Sequence, residues 1–488
     1  MAKGQTNSLC VIGGGGTQGI PTAPCTNITI TKGNGQVSLT WNDPSLIETI
    51  HGVDIEWKNT TVRYKKGSAP TSANDGTLAT VETTRNQYST NPLVISGLEN
   101  GSIYYVSVFP VSTKNAINTD ANQIVSATPK ATSIWTVKID QNNSNPLTCC
   151  TYADDAIGMT KGSSEWDDIF GYKPCIMQNG VVVGYLNPND FTKYVEGSDA
   201  PISDTNYDVM IEFPRRGLNI STDSNDIITI SLTDNTSNSE FGYLAHKRGN
   251  VQKDYFYLGA YDTHSYSNSN SNISPTVNVS IEDFIYHAHR KGVGYEIMGF
   301  YQWTYIQALY VLKYGNLNSQ QALGQGFTRG GSTQISGVTN TKGMCYGNPN
   351  SGSDRVKLFG LEDAWGNVAQ FICGLYSDYS RNLLTTTDNF GVNTSESAWE
   401  YNVYSDVSSN NGGYITKVQG TQNGGFVAKQ FSGSSTTYFS DDGSLYAGYF
   451  PRVGGYWTAG DYAGVFCCYV YSSASGAYSS VGSRLMYL

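Results

Sequence analysis

From about Pro24 onward, apolar and polar residues alternate in short runs. Ile28-Thr-Ile-Thr31 and Gln36-Val-Ser-Leu-Thr-Trp41 flank the turn Gly33-Asn-Gly35. Thr61 to Lys65, Leu93 to Leu98, Ile103 to Val108 and Ile124 to Thr128 follow. Period-two alternation punctuated by turn residues predicts an all-β sandwich over residues 23–130. Ahead of it, residues 1–22 contain Gly13 to Gly16 and read as a flexible arm or attachment segment. Lys130-Ala-Thr-Ser133 reads as a linker. Residues 131–200 read as a β-rich connecting segment with strand-like runs at Ile134 to Ile139 and Val181 to Leu186.

After Asp208 the pattern becomes mixed, which predicts an α+β domain over residues 201–488. Val209 to Phe213 and Phe256 to Tyr261 read as strands. Ser280-Ile-Glu-Asp283 has capping-box spacing and starts a short helix through His289 that Gly292 ends. Trp303, Ile306, Leu309, Tyr310 and Lys313 fall three or four apart, predicting a core-facing amphipathic helix over 301–314 that stops at Gly315. Beyond Gly326 the chain reads as loops and short strands. No repeat of solenoid period is visible.

Composition narrows the possibilities. Charged residues are 14% of the chain, against roughly 25% in ordinary soluble domains, and Tyr (35) outnumbers Phe (17) and Trp (8) together. Thirty basic and forty acidic side chains give a net charge of −10 with no basic cluster, which argues against a nucleic-acid partner. Val465 to Tyr471 is the longest apolar run and too short to span a bilayer, so no membrane insertion is expected. Met1-Ala-Lys-Gly-Gln5 lacks the apolar core of a secretory signal. The nine cysteines include two adjacent pairs, Cys149-Cys150 and Cys467-Cys468, and no CxxC, so neither a disulfide framework nor zinc is indicated. Asp154-Asp155 and Asp167-Asp168 are carboxylate pairs whose ordinary role is in solvated turns. Asp441-Asp442 and Asp363 are the candidates for a structural calcium; no other cofactor is expected.

Several of these segments resemble known families. Trp41 and the run Leu98-Glu-Asn-Gly-Ser-Ile-Tyr104-Tyr-Val-Ser-Val108 resemble the core tryptophan and corner-tyrosine pattern of fibronectin type III domains, with Asn100 in place of the usual proline. Gly360-Leu-Glu-Asp363-Ala-Trp-Gly366-Asn367-Val368 resembles the signature of the formylglycine-generating-enzyme type of C-type lectin fold. Gln370 and Phe371 replace its closing Glu and Trp. The segment from Arg452 to Leu485 is similar to the variable region of proteins diversified by retroelements. That resemblance implies a fixed frame of Gly454, Gly455, Trp457, Gly464, Phe466, Gly482, Arg484 and Leu485, beside Gly366 and Asn367 of the signature. Between them stand the exchangeable, ligand-binding positions Tyr456, Thr458, Ala459, Asp461, Tyr462, Tyr469, Tyr471, Ser472, Ser475, Tyr478 and Ser479. Val209 to Pro214, Tyr257 to Tyr261 and the 306–326 region resemble phage tail and receptor-binding proteins.

Seven of the residues 449–488 are Tyr, against 35 in all 488. Tyrosine offers a stiff apolar ring with a polar tip, and Ser and Gly are adaptable neighbours, which suits a binding face; a Tyr-rich β core would share the composition. The resemblances imply a receptor-binding protein of a virion tail or baseplate, assembled in the host cytoplasm. It would be a homotrimer, not an enzyme, and would grip a host-surface protein or glycan. Two alternatives remain. One is an oxidase using Cys467-Cys468, although neighbours on a strand point to opposite faces. The other is a structural baseplate or decoration protein whose tyrosines make subunit contacts.

Overall fold

The computed structural model describes residues 19–50, 52–388, 390–405 and 411–488; most of the expected arm, residues 1–18, lies outside them. The chain divides into two compact units, Met1–Thr132 and Ser133–Leu488.

In the first unit, Thr26–Gly33, Gln36–Asn42 and Leu93–Ser96 form a three-stranded sheet. Ile47–Ile50, Val53–Lys66, Tyr104–Ser112 and Ile124–Ala127 form a second, with Thr77–Glu82 paired to Val53–Lys66. Val37, Leu39, Trp41 and Ile95 of one sheet meet Val62, Val106 and Val108 of the other in a single buried cluster, so the unit is a β-sandwich. Trp41 is buried and its Nε1 donates to Asp43 (2.8 Å), while the Tyr104 hydroxyl accepts from the Glu99 amide (3.1 Å). The 47–50 and 77–82 strands carry no clean apolar alternation, and the sequence pattern misses both.

The second unit is mostly β around one large core. One seven-stranded sheet runs in the order Asp190–Tyr194, Val181–Asn187, Lys173–Gln178, Asp208–Pro214, Tyr255–Gly259, Leu485–Tyr487, Tyr295–Ile297. A four-stranded sheet joins Cys150–Asp154, Ile134–Asp140, Ile227–Thr233 and Gly217–Thr222. The stretch expected to connect two domains, 131–200, is therefore woven into the second unit from Ser133 onward: besides pairing among themselves, its strands bond to Asp208–Pro214 and Ile227–Thr233. Another seven-stranded sheet runs Ala428–Phe431, Asn411–Val418, Asp442–Leu445, Gly464–Ser472, Phe450–Gly454, Ala369–Phe371, Val481–Ser483.

The helix Ile281–Lys291 starts as the capping pattern predicts. Ser280 is the N-cap, its Oγ accepting from the Asp283 amide (3.1 Å). The helix Phe300–Tyr314 ends at Gly315 as expected, but its polar positions do not face water: every residue from Phe300 to Lys313 is buried. Gln302 donates to the Ala245 carbonyl (2.6 Å) and Gln307 to the Val465 carbonyl (2.9 Å). Those bonds replace hydration, so a helix that reads as amphipathic runs through the middle of the core.

Candidate functional site

The frame comes first. At its centre the Arg484 guanidinium, fully buried, donates to the Gly259 and Glu362 carbonyls (2.8 and 2.6 Å), to Asp262 (3.1 Å) and to the Gln370 side chain (3.1 Å). Gln370 in turn donates to Asp262 and to the Asp363 carbonyl, both at 2.9 Å. Ser483-Arg484-Leu485 is where the chain passes from one seven-stranded sheet to the other, so this network ties both sheets to the signature loop. Burial pushes the Asp262 carboxyl well up, and Arg484 opposes that shift. Gly366 has φ +81° and a Cβ there would lie 2.8 Å from the Phe327 amide nitrogen; only glycine fits. Asn367, also buried, accepts from the Gln334 amide (2.8 Å).

On this frame the Gly464–Ser472 strand presents two faces. Phe466 points inward, against Tyr310, Phe426 and Phe439. On the opposite face a row crosses the sheet in register, Gly412, Ser444, Tyr469, Arg452, Phe371, Ser483, open to solvent at the Gly412 and Tyr469 end and buried at Phe371 and Ser483. Tyr471 lies two residues along the strand from Tyr469, their rings 5.5 Å apart and nearly perpendicular. Tyr446 meets Tyr471 at 6.3 Å. Gly412, Gly413, Asp442, Gly443, Ser444, Tyr446, Tyr449, Tyr469 and Tyr471 line an open groove of about 590 Å³.

The loop between Gly454 and Gly464, which pair across its base, carries Tyr456 to Tyr462. Leu485 and Gly482 are buried, and a Cβ at Gly464 would collide with the Asp441 carboxylate. Trp457 is half-buried, its amide donating to the Asn367 carbonyl (3.1 Å). Tyr462 is 49% exposed and its ring lies 5.4 Å from Tyr414, whose register partner is Asp442. Asp461 is exposed and pairs with Arg329.

The expected binding positions therefore divide. Thr458, Asp461, Tyr462, Ser475 and Ser479 are exposed; Tyr456, Tyr469, Tyr471 and Tyr478 are half-buried on the outer surface. Two are corrections: Ala459 and Ser472 are buried and offer no side chain to a partner. Ala459 packs under the tight loop and Ser472 lies on the inward side of its strand. Of the groove's nine lining residues only Tyr469 and Tyr471 are among the expected binding positions; Gly412, Gly413, Asp442, Gly443, Ser444, Tyr446 and Tyr449 lie before the last forty residues or at their start. The signal was present: 412–414 and 442–449 use the same Gly, Ser, Tyr and Asp vocabulary.

Other candidates fall to structural roles. Asp363 is held by Arg355, and Asp441 accepts from the Phe466 amide (2.7 Å). Among the described residues, no three His, Cys, Asp or Glu side chains converge as a metal site. Asp154 accepts from Thr136, and Asp167 holds Lys313. Cys467 and Cys468 are both buried free thiols, and burial pushes both well above the usual thiol range, away from the reactive thiolate. No helix among the described residues is long and apolar enough to cross a membrane.

No family model matches the chain, and no curated protein sequence matches it. Among solved structures it is similar to the Major Tropism Determinant U1 variant, at 9% identity and a TM-score of 0.26, covering 80% of this chain and 81% of that one. The Major Tropism Determinant M1 variant gives 10% identity and a TM-score of 0.24, over 80% and 79%. Superposition this loose assigns neither fold nor function.

Proposed function

We propose that the chain is a receptor-binding protein of a virion tail or baseplate. In this reading the first unit is a fibronectin type III-like spacer. The second is a C-type lectin-like domain that grips a host-surface molecule. The observation that carries it is the separation of roles within one strand: Phe466 and its neighbours lock the core, while Tyr469 and Tyr471 stand on the outer face of the same Gly464–Ser472 strand. Side chains on that face exchange without disturbing the packing beneath, which suits a protein whose partner changes. Repeated copies in a trimer would add weak contacts by avidity.

The test replaces Tyr462, Tyr469 and Tyr471 together by Ser. Host adsorption per particle falls by about tenfold or more, as expected where aromatic anchors carry binding, with particle assembly unchanged. Intact adsorption with failed assembly would instead assign these rings to subunit contacts. Neighbouring DNA supplies an independent check: a near-copy of the codons for 450–485, differing mainly at adenines, beside a reverse transcriptase.

A further inference from the structure

Arg452 is 7% exposed and sits amid the outer row, its guanidinium carbon 4.4 Å from the Tyr471 ring centre, 5.1 Å from Tyr478 and 5.8 Å from Tyr469. Among the described residues it has no carboxylate partner and no hydrogen bond. Its Nε is sealed from solvent without an acceptor, whereas the two Nη atoms, equally unbonded, are not sealed. Arg484 and Arg355, the other deeply buried guanidiniums, each have a carboxylate. A cation so placed is compensated only by ring faces, a weaker substitute for an anion. Burial accordingly depresses its pKa from the ordinary guanidinium value.

The adjoining groove defines what kind of molecule would bring the anion. Its walls are four phenols, the Asp442 carboxyl, three glycines and Ser444, with no aliphatic side chain. The Ser444 hydroxyl is buried and unpartnered. A pocket for an apolar protein anchor would be lined by aliphatic and aromatic groups. Flat rings interleaved with hydroxyl and carboxyl groups instead suit a pyranose, whose C–H face stacks while its hydroxyls bond. The volume also falls within the roughly 300–1,000 Å³ of small-ligand sites.

We propose that Arg452, beneath Tyr469, Tyr471 and Tyr478, is an anion subsite that takes the carboxylate of an acidic sugar whose neighbouring residues lie in the Tyr446–Tyr449–Tyr469–Tyr471 groove. This rests on the receptor-binding reading and names its ligand class.

The full chain is titrated by NMR with glucuronate-, galacturonate- and sialate-containing oligosaccharides, their neutral counterparts, and a glutamate-rich peptide. At least one acidic sugar binds about tenfold more tightly than its neutral counterpart, the size of effect a charge-assisted hydrogen bond gives. Arg452→Met abolishes that difference, and Arg452→Lys, which keeps the charge without the fork, retains part of it and guards against misfolding of the first variant. Equal binding of acidic and neutral sugars, binding of no acidic sugar, or tighter binding of the peptide each overturns the proposal. Host adsorption separates the two readings. Loss in the Tyr462, Tyr469 and Tyr471 variant with full retention in Arg452→Met sinks the subsite alone, while retention in both sinks receptor binding as well.

Discussion

Arg484 and Tyr462 bracket what single side chains do here. Arg484 is a fully buried cation shared among three backbone carbonyls, Asp262 and Gln370. Arg484→Met leaves the Asp262 carboxylate uncompensated, and the expected loss is about 3–5 kcal/mol by chemical denaturation. Tyr462→Ser, on the half-exposed loop, is expected to change stability by no more than about 0.5 kcal/mol. Gln370→Glu probes the signature's altered ending. Gln370 donates two hydrogen bonds that a carboxylate cannot make, and a second negative charge would face Asp262. That variant should be less stable at pH 7 than at pH 5, since acid returns one proton to the pair. A melt showing equal loss at both values would contradict it.

At the scale of elements, the 281–291 helix was legible because its Ser280 cap and Gly292 stop are local signals. Ser280→Ala should cost about 1 kcal/mol by denaturant titration. The 300–314 helix was legible in extent only, since its spacing does not say that Gln302 and Gln307 find carbonyls instead of water. The outer row was half legible for a similar reason. Tyr469 and Arg452 lie in the Tyr-rich C-terminal segment, but Ser444 reaches them through a parallel pairing between strands separated by residues 446–463. One-dimensional pattern holds no record of such pairings. The helix is also fastened by His289, whose Nε2 meets the buried Glu296 carboxylate at 2.5 Å, with Arg248 nearby. The hydrogen bond to Glu296 raises the His289 pKa above its ordinary 6.5. Its stabilisation is therefore complete below about pH 6.5 and lost as pH rises through the elevated value. Melting temperatures of the chain and of His289→Asn should differ most at pH 5 and converge toward pH 8; a constant gap would count against the pairing.

Over the whole molecule, each unit owns a separate core, one around Trp41 and the other around the 300–314 helix. Residues 19–132 and 133–488 expressed apart should each give a single cooperative unfolding transition by calorimetry. The resemblances in the sequence pointed to a β-sandwich and a mixed unit. Local pattern alone made residues 131–200 a connecting segment, because the strands that bind it to the rest of the unit, Asp208–Pro214 and Ile227–Thr233, lie beyond it. The last strand, Leu485–Tyr487, lies between Tyr255–Gly259 and Tyr295–Ile297. A ribosome therefore emits the phenol-bearing loops before the piece that locks the sheets around them. A stop codon at any position from 481 to 484 removes this strand together with Arg484, leaving Tyr255–Gly259 and Tyr295–Ile297 without the partner between them, and should sharply lower the yield of folded protein.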